Sequence, residues 1–119
     1  MPPLITPPIE NYFHFIKLSQ KIDVIFNLNG FCPNKKALFH EIILAWFNEV
    51  PLTVREAMAI SYLGSPATLH KRIAGLRDLK LVHVVHLSGN MRTKYLQPTD
   101  SGLKYIEMLA HCLAHTSTN

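Results

Sequence analysis

A chain of 119 residues has room for one hydrophobic core and not for two. Apolar residues make up 48% and charged residues 17%, which excludes an intrinsically disordered chain, poorer in apolar side chains and richer in net charge. No apolar run reaches the roughly 20 residues that cross a bilayer. No basic n-region or small-residue cleavage site marks the start, Met1-Pro2-Pro3-Leu4, so a cytoplasmic protein with no membrane partner is expected. The net charge of +4 is unevenly spread: Thr53 to Pro98 carries +5 and the remainder −1. An anionic partner for that middle segment is the physical implication. Cys32 and Cys112 lie far apart with no CxxC spacing, which argues against a disulfide framework or zinc ribbon and for two buried free thiols.

In chain order, residues 1–9 hold four prolines and read as an extended proline-rich arm. Residues 10–119 then form a single folded domain. From Glu10 to about Phe26 the pattern is helical, with Tyr12, Phe13, Phe15, Ile16, Ile22, Val24, Ile25 and Phe26 giving an apolar surface broader than one small core requires. A helix apolar on more than one side is either buried deeply in the core of one chain or paired with a second chain, a first hint of a dimer. Asn27-Leu28-Asn29-Gly30 ends it and Pro33 opens the next, in which Leu38, Ile42, Ala45, Trp46 and Phe47 make a core stripe. Thr53, followed three residues on by Glu56, forms a capping box for a short helix reaching Ile60 or Tyr62.

Leu63-Gly64 supplies a turn. Ser65 caps the following helix and Pro66 suits its first position, where a missing N–H has no partner anyway. At 100° per residue Leu69, Ile73 and Leu76 share one sector, with Ala67, Thr68, His70, Lys71 and Ala74 roughly opposite. Helix, Gly-containing turn and second helix with a small, polar leading face is the helix-turn-helix pattern. Val82 to Leu87 then switches to strand periodicity, Ser88-Gly89-Asn90 turns, and Thr93 to Pro98 returns, making a basic-tipped wing. Thr99 or Asp100 caps a last helix from Ser101 to about His115, with Leu103, Ile106, Leu109, Ala110 and Leu113 apolar. The expected fold class is mainly α (α+β): a winged helix-turn-helix flanked by N-terminal (10–27) and C-terminal (101–115) helices.

From Leu52 to about Leu113 the chain resembles the winged-helix domain of the MarR family of bacterial transcription regulators. The likeness is carried by Leu52-Thr53 before a short helix, by Ser65 to Val82 running into the wing, and by Gly89-Asn90-Met91-Arg92 followed by Leu96 to Gly102. Asn90 stands where the family often has Asp beside the wing arginine, and Pro98 to Gly102 slightly lengthens the usual Leu-Thr-x-x-Gly helix start. The resemblance implies a homodimer joined by the terminal helices, here through Tyr12, Phe13, Ile16, Leu109 and Leu113. It also implies double-stranded DNA as partner, a repressor reading a pseudo-palindromic site, and a small-molecule effector pocket lined by Tyr12, Phe13, Phe15 and Trp46, residues that core packing explains equally well.

The DNA contacts can be argued from chemistry. Major-groove entry needs small side chains at the leading end of the helix and donors that reach base edges, which Pro66, Ala67, Thr68, His70 and Lys71 supply. Ser65 and the helix N-terminal amides suit phosphate, as do Arg55, Arg72 and Arg77; Arg92, with Lys94 behind it, would reach the flanking minor groove or backbone. A different class of function on the same fold is a protein-interaction or assembly module, in which these cations are ordinary solvated charges. No enzyme is expected: carboxylates are scattered, no Gly-rich phosphate loop occurs, and His111 and Cys112 point about 100° apart on a helix. No metal is expected either, since His111 and His115 lie one turn apart without a third ligand and His83 and His86 face opposite sides of a strand. No cofactor is implied.

Overall fold

The structure is a computed structural model and describes residues 6–87, 89 and 91–117, the side chains of 115–117 excepted. Most of the described residues are helical, accompanied by one two-stranded antiparallel sheet. The elements run α1 (Pro7–Ile25), α2 (Pro33–Phe47), α3 (Val54–Met58), α4 (Pro66–Asp78), β1 (Val82–Val85), β2 (Tyr95–Pro98) and α5 (Asp100–Ser117). They fall into two compact units: residues 30–103, and the two chain ends, 1–29 with 104–119. α5 gives its first turn to the former and the rest to the latter.

α1 begins at Pro7, inside the segment expected to be extended. The reason is local: Thr6 is extended, and two prolines at the first helical positions lose no hydrogen bond there while their fixed φ already suits a helix. The rest of the expected arm, residues 1–5, lies outside the described residues. α1 ends as Asn27 takes φ 59° and the Leu28 N–H returns 2.9 Å to the Asp23 carbonyl. The same closure ends α2 at Glu49 (φ 64°) and α4 at Lys80 (φ 61°), with Val50 N–H donating to Ala45 and Leu81 N–H to Leu76.

In the unit of residues 30–103, α2 packs on α4 and β2, and α3 on α4. Its core is Phe31, Leu38, Phe39, Ile42, Ala57, Leu69, Ile73, Leu76, Leu81, Val82 and Leu96. The expected anchor stripe of α4, Leu69, Ile73 and Leu76, is buried throughout. Burial of each such side chain is worth about 1.5–3 kcal/mol. One expected core residue is corrected: Phe47 is 75% exposed, because it lies a turn beyond His40 and Leu44 on the outer face of α2, and Phe39 fills the core instead, edge-on to Phe31 at 5.8 Å.

β1 and β2 pair in register Val82↔Pro98 through Val85↔Tyr95. The strands are shorter than the 82–87 and 93–98 expected, and of the Ser88-Gly89-Asn90 turn only Gly89, at φ 81°, belongs to the described residues. On its other edge β2 meets the chain before α3: Thr53 bridges Tyr95, Leu96 N–H donates to the Leu52 carbonyl and Val54 N–H to that of Lys94. Thr99 caps α5, its Oγ1 accepting from Gly102 N–H at 2.8 Å.

In the unit of the chain ends, Ile22, Leu28 and Tyr105 are buried. The Tyr105 ring stands edge-on to Phe26 at 5.6 Å and its hydroxyl donates to Asp23 at 2.8 Å. Tyr12 (62% exposed), Phe13 (49%), Val24 (79%) and Ile25 (67%) leave much of α1's apolar surface uncovered in the single chain. No helix among the described residues is long and apolar enough to cross a membrane.

Candidate nucleic-acid interface

The site is built on three local structures. The capping box at α3 closes as expected: Thr53 Oγ1 accepts from Glu56 N–H at 3.0 Å and the Glu56 carboxylate accepts from Thr53 N–H at 2.9 Å. Because Thr53 and Val54 are also tied to β2, the start of α3 and the hairpin are held to one another. At α4, Ser65 Oγ accepts from Thr68 N–H at 3.3 Å and donates to Thr68 Oγ1 at 2.9 Å, which leaves the Thr68 hydroxyl proton available to an outside acceptor.

Between the two helices Gly64 takes φ +155°, and a Cβ there would stand 3.3 Å from an Arg72 guanidinium nitrogen and 3.4 Å from Thr68 Cγ2. Arg72, expected at a phosphate, instead turns back and donates to the Leu63 carbonyl, half-buried against the turn. Its remaining N–H groups could still reach a phosphate. Tyr62, in the same connection, donates to Glu41 of α2 at 2.6 Å, a tie that nothing in the residue pattern signalled.

The leading face of α4 is exposed where the pattern placed it: Ser65, Pro66, Ala67, His70, Lys71 and Ala74 are exposed and Thr68 is half-buried. Beside it opens a cleft of about 720 Å³ between α3, the first residue of α4 and the hairpin. Arg55, Arg92 and Lys94 all line it, with Pro66 at its edge, and no carboxylate does. Thus three of the cations expected at DNA, Arg55 for phosphate and Arg92 and Lys94 of the hairpin for the flanking groove or backbone, border one concavity although scattered over 40 residues of sequence. Arg77 lies at a second groove, with Lys80, Asp78 and Asp100, where the charges are mixed.

The residues expected to join two copies lie on the terminal helices: Tyr12, Phe13 and Leu113 exposed, Ile16 and Leu109 half-buried. A shallow apolar groove of about 480 Å³ runs between α1 and α5, lined by Leu18, Ile22, Ile25 and Met108 among others. Of the aromatic residues considered for an effector, Tyr12, Phe13 and Phe15 are on α1 in one unit and half-buried Trp46 is on α2 in the other.

Neither cysteine is in a disulfide, and the expected burial fails for both: Cys112 is half-buried and Cys32 is exposed. Cys32 is the residue before α2, where the N–H groups of Lys35 and Asn34 and the Lys35 charge lower its thiol pKa. His111 lies 4.0 Å from Glu107 one turn earlier, and the side chain of His115 lies outside the described residues. Among the described residues no group of three or more His, Cys, Asp or Glu is placed to hold a metal ion. Comparison with family models, with curated proteins and with solved structures finds no match to this chain.

Proposed function

We propose that the chain is a double-stranded DNA-binding transcription regulator of the MarR type, built as a winged helix-turn-helix and acting as a homodimeric repressor on a pseudo-palindromic site. What carries the proposal is α4, anchored by the buried Leu69, Ile73 and Leu76, with an opposite face of small and donor side chains exposed beside a cleft bordered by Arg55, Arg92 and Lys94. In this reading Pro66 and Ala67 allow close approach to the groove floor. The free hydroxyl proton of Thr68, with His70 and Lys71, meets base edges. Ser65, Arg55 and the spare donors of Arg72 meet phosphates. The β1–β2 hairpin is the wing, bringing Arg92 and Lys94 to the flanking groove or backbone. The uncovered apolar side chains Tyr12 and Phe13 of α1, with Leu113 of α5, supply the surface for a second copy.

A selection of bound sequences from random duplex DNA supplies the probe, and affinity for it is then measured across a salt series. A steep fall with salt is expected. Lys71→Ala and Arg92→Ala each cost about 1–3 kcal/mol where they contact bases, or lower the salt slope by about 1 where they contact phosphate. If no duplex is bound in a salt-dependent way, DNA regulation is wrong and the surface belongs to a protein partner.

A further inference from the structure

The paired part of the hairpin stops at Val85↔Tyr95, yet Arg92 and Lys94, the side chains that would meet DNA, lie at or beyond its end. The Lys94 carbonyl accepts from Val54 N–H at 2.9 Å on the edge facing α3. Its neighbour, the Thr93 carbonyl, lies 3.0 Å from Nδ1 of His86, the first residue after β1. Consecutive carbonyls of an extended segment point to opposite sides, so the two bonds hold this stretch from both edges. Continuing the register would set Leu87 opposite Thr93, and at that step the His86 ring reaches across to the Thr93 carbonyl. A carbonyl oxygen can only accept, so Nδ1 carries the proton in this contact.

We propose that His86 is a positioning residue of the hairpin, whose Nδ1–H bond to the Thr93 carbonyl fixes residues 91–94 so that Arg92 and Lys94 border the cleft across from Arg55. Its effect on affinity rests on the DNA-binding proposal; its effect on the hairpin does not. The two can therefore be measured apart.

In the free protein, nitrogen chemical shifts of the neutral imidazole should report the Nδ1–H tautomer for His86. Backbone relaxation should show faster motion at Arg92 to Lys94 in His86→Ala and in His86→Gln, whose amide reaches the Nε2 position. Motion like that of the parent protein is expected in His86→Asn, whose amide nitrogen occupies the Nδ1 position. His86 is exposed, so these variants spare the buried core, and the Asn–Gln contrast discriminates even if the hairpin loses some stability. On the selected duplex, the Ala and Gln variants should bind about two- to tenfold more weakly, the range of one lost hydrogen bond. The Asn variant should recover most of that, and the loss should vanish when Arg92 and Lys94 are both already Ala. An Nε2–H tautomer, or an Asn variant no better than the Gln variant in hairpin motion, overturns the proposal. Parent protein that binds no duplex overturns the DNA-binding reading and the affinity role with it, a result distinguishable because the relaxation contrast is recorded without DNA.

Discussion

Thr99 joins three stretches of chain through one residue. Its amide donates to the Leu81 carbonyl at 3.1 Å, its hydroxyl donates to the Lys80 carbonyl, and the same oxygen accepts from Gly102 N–H to start α5. That arrangement explains why position 102 is glycine: a Cβ there would collide with the Leu81 carbonyl. Tyr105, one turn on, is 4% exposed and lends its hydroxyl proton to Asp23. Burial and that bond to a carboxylate push its pKa well above the ordinary tyrosine value. The folded value is raised, so the stability it contributes is fully present below the unfolded value of about 10 and is lost as pH rises through the folded one. Unfolding temperature should therefore fall as pH rises above about 10, the unfolded value. Tyr105→Phe should cost about 1–3 kcal/mol at neutral pH, as expected for a bond to a charged acceptor, and should flatten the alkaline fall. Denaturant unfolding of the two proteins across pH 7 to 12 measures both effects; an unchanged alkaline slope would contradict the assignment.

Among the elements, beginnings were more legible than ends. Thr53 with Glu56, Ser65 with Pro66, and Thr99 announce their helices because a capping side chain and its amide lie within three residues of each other. The terminations at Glu49 and Lys80 carry no such mark, since neither residue type favours positive φ; the backbone closes there because Leu81 and Val50 find carbonyl partners. The connection of α3 to α4 combines both kinds. Gly64 signals a turn, but the contact that packs it, Arg72 reaching back nine residues to Leu63, is tertiary in character. Gly64→Ala should place a Cβ against Arg72 and Thr68 at a φ that side chains rarely adopt, and should cost about 1–3 kcal/mol. Thermal unfolding reads that loss. A neutral or stabilising substitution would mean that the turn relaxes without penalty.

At the level of the whole molecule, the proposed homodimer makes a quantitative demand. α1 leaves Tyr12, Phe13, Val24 and Ile25 between 49% and 79% exposed, a large uncovered apolar surface for one helix of a folded chain. Sedimentation equilibrium at micromolar concentration should return twice the 13.5 kDa chain mass. Replacing Tyr12 and Phe13 together by Glu should shift the protein to monomer and weaken binding to a two-half-site duplex more than to a single half-site. A monomeric parent protein at that concentration would remove the pairing from the proposal.

The amino-acid sequence by itself determined the helix periodicities, three capped starts, the two-stranded hairpin and the buried stripe Leu69–Ile73–Leu76, because each is written in residues within one or two turns of one another. It also located the excess of positive charge. Only the tertiary structure decided that Phe39 and not Phe47 enters the core, that Arg72 serves the turn, and that Arg55, Arg92 and Lys94 line one cleft. It also brought His86 to the Thr93 carbonyl and Tyr105 to Asp23. Those outcomes depend on which residues distant in sequence meet once the helices pack, and no local period or propensity encodes such a meeting.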